Sequence, residues 1–560
     1  MSEFAGGYLR TVGPGPASSG ERAPASGGLI AVAGHGRGRL TNTREWHFWL
    51  IGLCLVGLSV RLCYLFGWLH PAAVQGDPLY YHEAANLFAR GRGWPDPYML
   101  DVSGRYVPDA QHPPLTSALL AIPSLLGLTG FLAHQVFCCL LGVGSIALVA
   151  YAGRRIAGPA TGLVAAGIAA VYPGMWLNDP LVMSETPGIL TCSWIILAAY
   201  QFADRPRARA AAWLGLALAA VMLARAELAL LALVLVVPLV ALARGVGWRR
   251  RIGLLALAAA TCVLAVAPWS AYNLDRFREP EYLSTGLGTT LAVTHCPATY
   301  SGRYLGWWSF ACVQALPEPP EERSERDAFY REAAYDYIRA HSDRLPVVAA
   351  ARLGRTWGVF RPWQQIQFDR IELRPASLSK AGMITLWVLE PLAIAGAVVL
   401  RRRRVPVLPL LAVPITLSLA TVVVYGTTRF RAAAEPALVL LAAVALAAAA
   451  GAIRVAVAGR SGAAPAQAFE PAGVAEPAGV AEPAGAVERA AAVEPAGTER
   501  ARDEEPAGAE RAGAEPAPVV KPPEVTESAR GAGTSRDEKA AKVGESPPRA
   551  RRSGEPKPEK

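Results

Sequence analysis

Charge is what this 560-residue chain has least of: 18% of its residues are Asp, Glu, Lys or Arg, against about 25% in ordinary soluble domains. Cysteine is sparse as well. There are eight, with no CxxC pair and no Cys/His spacing suited to zinc. Six of them (Cys54, Cys63, Cys138, Cys139, Cys192 and Cys262) fall inside apolar runs, where a thiol behaves as a small hydrophobe. Beyond residue 460 the aromatics dwindle to Phe469 alone. These shortages exclude a soluble enzyme, a DNA-binding protein and a secreted disulfide scaffold.

Apolar residues are what the chain has in excess, 52% of it, with a mean hydropathy of +0.26. The excess is clumped into nearly charge-free windows of about 17–25 residues, the length a helix needs to cross a bilayer. The windows predict spans near 46–70, 134–152, 159–176, 186–203, 210–224, 227–243, 252–270, 380–400, 405–425 and 435–455. The fold expected is an all-α polytopic membrane protein of about ten transmembrane helices. The first window lies too far in and is too long for a cleaved signal peptide.

Before the spans, residues 1–44 are rich in Gly, Pro and Ser and read as a disordered cytoplasmic arm. After them, 457–560 read as a disordered cytoplasmic tail rich in Pro, Ala and Glu, with EPAG repeats at 476–479 and 482–485. Such a segment buries too little apolar surface to offset its ordering entropy. The tail also divides the charge. Residues 461–560 hold 14 Lys/Arg against 18 Asp/Glu, a net of −4, so the overall +10 leaves +14 on residues 1–460.

Those basic residues sit between spans, so the positive-inside rule explains them better than nucleic-acid binding does. Arg37, Arg39 and Arg44 place the N-terminus in the cytoplasm. The basic turns at 154–155, 205–209, 244–251 and 401–404 then all fall inside, provided the apolar stretch 113–130 does not cross. That stretch opens with Pro113-Pro114 and is read as an in-plane or re-entrant helix on the outer side. Two segments, 71–133 and 271–379, then face outward over a transmembrane domain covering 45–456.

The first outward segment reads Gly76-Asp77-Pro78-Leu79-Tyr80-Tyr81-His82-Glu83, and later His112-Pro113-Pro114-Leu115. Three further stretches follow in order: Leu181-Val182-Met183-Ser184-Glu185-Thr186, Ala267-Pro268-Trp269-Ser270-Ala271-Tyr272-Asn273, and Arg429-Phe430-Arg431 with Glu435-Pro436. As an ordered set over about 46–455 they resemble the polyprenyl-phosphate-sugar-dependent glycosyltransferases of the GT-C fold, in particular the bacterial family 39 or protein-mannosyltransferase-like group. The resemblance implies a GT-C-like bundle and a lipid-linked sugar donor. It implies a protein, lipid or glycan acceptor among membrane lipids, with no role for nucleic acid. It leaves the sugar and acceptor open.

In that family the acid of the first outer loop is the general base, which here is Asp77. One carboxylate is needed to deprotonate the acceptor hydroxyl as it attacks the anomeric carbon. The leaving group is already a phosphodiester, so a cationic clamp suffices on the other face. The bland alternative for Asp77 is a helix N-cap. Many relatives carry two adjacent acids, whereas Pro78 follows Asp77 here. Glu185 is the second candidate catalytic acid. Asp179, His82 and His112 are candidates for contact with acceptor or substrate, each with a plain surface or boundary alternative. Six residues on from Asp77, Glu83 lies well round the same short helix and reads as surface.

For the donor phosphate the candidates are Arg225, Arg429 and Arg431 at the outer boundary. Arg225 has Glu227 as an alternative partner. At i, i+2, Arg429 and Arg431 point apart, so one on phosphate and one on Glu435 would satisfy both. Arg352 and Arg355, in the amphipathic stretch 346–361, are lesser candidates. Cys296 and Cys312, 16 positions apart in the outer loop, are a disulfide candidate or two free thiols. Tyr300, Tyr304, Trp307, Trp308 and Phe310 read as an interfacial belt rather than a sugar platform. No metal-ligand cluster is visible; some relatives use a divalent cation and others do not, so the resemblance leaves a metal open.

Two other functions fit a polytopic chain. A transporter or lipid flippase would show repeated halves and polar groups near the midplane, whereas here polar residues gather at the outer boundary. An inactive relative serving as a scaffold is the third.

Overall fold

The computed structural model describes residues 43–69 and 76–460. The chain divides into two units, 1–468 and 469–560, and the second lies outside the described residues. So do the arm expected at 1–44 and the tail expected at 457–560, apart from their inner ends.

Among the described residues the secondary structure is helical, with one isolated bridge between Pro95 and Pro108. The first span, α1 (Thr43–Gly67), is followed by α2 (Asp77–Ala89), α3 (Pro97–Ser103) and α4 (Leu115–Leu125). Then come α5 (Phe131–Ala157), α6 (Pro159–Val171), α7 (Pro173–Trp176), α8 (Glu185–Asp204) and α9 (Ala208–Ala224). An apolar stretch, α10 (Ala226–Ala241), changes its winding from 3-10 to π to α along its length. It leads into α11 (Trp248–Arg276).

Between α11 and the next long helix lie α12 (Leu287–Ala292), α13 (Pro297–Tyr300), α14 (Ala311–Gln314), α15 (Arg323–Ala340), α16 (Leu345–Thr356) and α17 (Pro362–Asp369). The chain closes with α18 (Ala376–Arg402), α19 (Leu408–Val423), α20 (Thr428–Arg431) and α21 (Glu435–Arg460).

Six helices are long and apolar enough to cross a membrane, seven if the pair Pro159–Val171 and Pro173–Leu181, bent by 74°, counts as one. The three other expected spans correspond to α9, α10 and α19, of 16 or 17 residues. At 1.5 Å per residue these reach about 25 Å, short of a bilayer core of about 30 Å. Ten apolar stretches are therefore present, but three fall below full spanning length. The expected bounds 210–224 and 405–425 end within two residues of α9 and α19, which stop before Arg225 and Val424.

The stretch 113–130 forms only the 11-residue α4, too short to cross. It packs on α2, and the two share a small core of Tyr80, Tyr81, Ala84, Ala85, Leu120 and Ala121 with Cys138 of α5.

The main core is built from small residues. Ala165, Ala166, Ala169 and Ala170 line one face of α6, and Ala442 and Ala443 one face of α21. Lipid tails are as apolar as leucine, so helices in a bilayer associate by close backbone approach, which small residues permit. On this base α5 packs against α6 and α8, α9 against α11, and α18 against α21.

Candidate active site

Gly76 sets the direction of α2. It holds φ +64, a left-handed value that favours glycine. The Tyr98 hydroxyl donates to its carbonyl at 2.6 Å. The next residue, Asp77, opens the helix, where a carboxylate is favoured by the helix dipole. It is not a cap: Gly76 holds the N-cap position and no side chain caps this helix. The Asp77 carboxylate instead reaches across the chain, accepting from Arg429 Nη2 at 2.5 Å, with His112 Nε2 3.5 Å from its other oxygen. The His112 ring is held between Tyr80 and Tyr81, each with its centroid 4.9 Å away. Burial pushes the Asp77 carboxyl upward, but Arg429 and His112 together outweigh it and hold the group well below the usual carboxylate range.

Arg429 is shared. Its Nε donates to Glu185 Oε1, and its Nη1 lies 3.7 Å from Glu372 Oε1. Glu185 opens α8 and accepts a second bond, from Arg225 Nη1 at 2.9 Å. Arg225 also donates through Nε to Glu227 at 2.6 Å. On the other side Arg374 Nη2 lies 3.3 Å from Glu372 Oε2. Acids and guanidinium groups therefore alternate in one chain, Asp77, Arg429, Glu185, Arg225 and Glu227, with Glu372 and Arg374 as a branch. Both of its ends are partly open, Asp77 25% and Glu227 29% exposed, whereas Glu185 between them is fully buried.

The remaining candidates are turned elsewhere. Arg431, expected at the donor phosphate, donates to Glu435 at 2.8 Å and to the Thr356 carbonyl at 2.8 Å. Tyr172 closes that internal network from the other Glu435 oxygen at 2.9 Å. Two residues along the short helix α20 are enough to aim Arg429 and Arg431 apart. Asp179, expected near the acceptor, accepts from Arg61 Nε at 2.6 Å and from Thr186 Oγ1 at 2.7 Å, wholly inside the protein. A Cβ on Gly142 would come within 1.9 Å of Asp179 and 2.6 Å of Arg61, so this pair needs glycine beside it.

His82, also expected near the acceptor, faces His134 with Nδ1 atoms 3.0 Å apart. His134 reaches Ser124 at 2.9 Å, and Ser124 donates to Asn86 at 2.8 Å.

Cys296 and Cys312 form a disulfide with Cα atoms 5.6 Å apart. Arg352 and Arg355 are fully buried and donate to backbone carbonyls, of Val422, Val423 and Thr294 and of Arg303 and Leu305 respectively. They staple the segment between α11 and α18 rather than face a ligand. Of the aromatic run, Trp307 is buried against Phe368 and Tyr425, so its ring is used in packing.

Three participants were missed from the sequence. Arg61 carried a signal, a single charge within an apolar run. Glu372 and Arg374 did not. The residue between them, Leu373, holds φ +62, rare for a side chain of its size, and this left-handed turn brings both to the cluster.

Among the described residues no group of three or more His, Cys, Asp or Glu is placed to hold a metal ion. Where Asp77, Glu185 and Glu372 converge, the shared cation is the Arg429 guanidinium, so these residues do not fit a metal.

Residues 111–272 match the model of the family described as dolichyl-phosphate-mannose-protein mannosyltransferase. The matched segment includes His112, Asp179, Glu185 and Arg225; Asp77, Arg429 and Arg431 lie outside it. No curated protein matches the chain.

Among solved structures, the Archaeoglobus fulgidus oligosaccharyltransferase AglB, in complex with an inhibitory peptide and a dolichol-phosphate, is 13% identical. That match covers 76% of this chain and 53% of AglB at a TM-score of 0.45. ArnT from Cupriavidus metallidurans, bound to undecaprenyl phosphate, is 16% identical over 76% of this chain and 82% of ArnT, at a TM-score of 0.34. The chain spans about half the length of the archaeal enzyme.

Proposed function

We propose that this chain is a membrane glycosyltransferase that moves a sugar from a polyprenyl-phosphate donor to an acceptor hydroxyl, with inversion, at Asp77. The family match over 111–272 supports the reaction class. The observation that carries the site is the pairing of Asp77, a partly open carboxylate, with Arg429 at 2.5 Å. Asp77 takes the proton of the acceptor hydroxyl as its oxygen attacks the anomeric carbon. The bond from that carbon to the phosphate oxygen breaks, and polyprenyl phosphate leaves with the electron pair. Arg429 and Arg225 face the developing phosphate charge.

The resting pairing gives the donor a second task. A phosphate that draws Arg429 toward itself loosens its hold on Asp77, so the base gains strength when the donor is in place. His112 then remains as the neighbour that orients the carboxylate. Arg431 and Asp179, already satisfied inside the protein, take no part. The acceptor is a protein, lipid or glycan hydroxyl on the outer face of the cytoplasmic membrane, with both termini cytoplasmic.

The test is sugar release from a panel of radiolabelled polyprenyl-phosphate sugars by the full chain in nanodiscs, beside Asp77→Asn. Turnover of one donor, lost in the variant, is expected and names the sugar. Turnover that survives the substitution removes Asp77 as the base. Labelling from the outer side of a cysteine placed at Arg402 would overturn the orientation.

A further inference from the structure

Arg429 sits on a helix too short to aim a side chain unaided. α20 runs from Thr428 to Arg431 and is joined to α19 by the non-helical residues 424–427. This approach is bonded step by step to the segment between α11 and α18. Arg352 donates to the Val422 and Val423 carbonyls, and the Gly426 amide donates to the Gly306 carbonyl at 2.9 Å. A Cβ on Gly426 would stand 2.2 Å from the Arg352 carbonyl oxygen, so the two backbones meet as closely as glycine permits.

Side chains take over at Thr427. Its hydroxyl caps α20, accepting from the Arg429 amide at 3.3 Å, and Gln365 Nε2 lies 3.4 Å from the same oxygen. The Thr428 hydroxyl donates to Asp369 Oδ1 at 2.9 Å, and Gln365 donates to that oxygen at 3.1 Å. Arg374 Nη1 lies 3.4 Å from the Thr428 hydroxyl. From Thr427 to Arg429, then, every residue is met by the stretch 365–374, Arg429 through Glu372. Asp369 ends α17, and its carbonyl accepts from the Arg374 amide, so it anchors the turn carrying Glu372 and Arg374 as well.

Asp369 is 3% exposed, and the side chains that donate to its carboxylate are neutral, a hydroxyl and an amide. Burying a carboxylate against neutral donors costs stability. What Asp369 supplies in return is placement. We propose that Asp369 is a positioning residue: through Thr428 it fixes α20, and with it the direction in which Arg429 reaches Asp77. The inference rests on the glycosyltransferase reading for the reaction that Arg429 and Asp77 serve, while the aiming itself is open to a measurement that needs no turnover. Thr428 and Arg429 are consecutive on one turn, so freeing the first swings the second. Asp77 and Glu185 both accept from that guanidinium, so a rotation of α20 changes how firmly Asp77 is held ionised.

The test reads Asp77 directly, in the full chain in nanodiscs. A water-soluble carbodiimide takes up the O–H of a protonated carboxyl across its C=N bond, and an added amine displaces the urea to leave an amide that mass spectrometry locates. The exposed Asp101 serves as the reference in the same chain. At about pH 4.5, parent Asp77 should label about tenfold or more slowly than Asp101, because Arg429 holds it ionised. Asp369→Ala and Thr428→Val should each raise the Asp77 rate roughly tenfold, the loss of one buried hydrogen bond, and leave Asp101 unchanged. The double variant should do no more than either single one, since both remove the same contact. Asp369→Asn keeps an oxygen for Thr428 and should stay within about twofold of the parent. Thr428→Val has the shape of the parent residue and keeps the test open if Asp369→Ala does not fold.

Parent-like labelling in Thr428→Val, additive effects in the double variant, or an Asp369→Asn protein that labels as fast as Asp369→Ala would each overturn the proposal. The two readings separate. This labelling pattern in a chain that turns over no donor keeps Asp369 as the residue that aims Arg429 and sinks the glycosyltransferase reading. Turnover that is lost in Asp77→Asn, beside an Asp369→Ala protein whose labelling and acid limb of kcat/KM match the parent's, sinks the positioning role and leaves the enzyme.

Discussion

Arg429 and Asp77 stand 352 positions apart in the chain and meet through a hydrogen bond of 2.5 Å between Nη2 and Oδ2. The contact joins the start of α2 to the helix before α21, so the cluster exists only once the bundle is assembled. It also helps hold the Asp77 carboxyl ionised.

Asp77→Asn is expected to lower kcat by about 10²–10⁴-fold, the usual contribution of a positioned base, while the protein elutes and melts as the parent does. In the parent, the depressed carboxyl stays ionised well into acid, and no acid limb of kcat/KM arises from it. Arg429→Gln leaves burial less opposed, so the limb moves up toward or beyond the ordinary Asp value of about 3.9. An identical acid limb in parent and variant would show that Arg429 does not set the base.

Arg61→Met strands Asp179 inside the protein, and removing one partner of a buried pair destabilises by roughly 3–5 kcal/mol. Replacing both, as Arg61→Met with Asp179→Leu, should recover most of the loss. Thermal unfolding in detergent measures the three proteins; equal melting of the single variant and the parent would contradict a wholly buried pair.

Reduction of the Cys296–Cys312 bond should lower the melting temperature of the segment between α11 and α18. The chain-entropy model assigns a loop of this length about 3 kcal/mol. Non-reducing digestion followed by mass spectrometry should return the two peptides linked, and free thiols at both positions would refute the bond.

Glu281 gives a pH dependence of opposite sign to that of Asp77. Burial and the neighbouring Asp327 push its carboxyl up to about 7. Burial likewise raises Asp327, to about 6. A carboxyl raised in the folded state contributes stability below its unfolded value of about 4.3, and the contribution fades as pH climbs through the folded value. Melting temperature should therefore fall between about pH 4.5 and pH 7, and Glu281→Gln should flatten that slope. A steeper slope in the variant would reverse the assignment.

The helices were legible where the signal is local. The apolar runs of α1, α5, α8, α11 and α18 read directly as spans because length and hydropathy are properties of consecutive residues. One break was legible too: the expected span 210–224 stops where α9 does, before Arg225, where the chain extends to reach Glu185 and Glu227. In the site, Asp77, Glu185 and Arg429 came from the order of motifs rather than from any spacing. Their convergence is a fact of tertiary packing. The i, i+2 spacing set Arg429 and Arg431 apart and kept one of them for Glu435, and α20 shows that it is Arg431. Glu372 and Arg374 sit in a loop whose left-handed turn at Leu373 has no glycine to announce it.

The pairing of Arg61 with Asp179 bears on how the protein is made. Synthesis runs from the N-terminus, so the first span emerges with its arginine 118 positions ahead of the acid that neutralises it. An unaccompanied arginine disfavours release into lipid, by about 2.5–3.5 kcal/mol at a helix centre on insertion scales and by less at Arg61, which lies toward the end of α1. Through that interval α1 is better retained beside the insertion machinery than set free, and the arrival of the bent segment carrying Asp179 is the step that commits both to the bilayer.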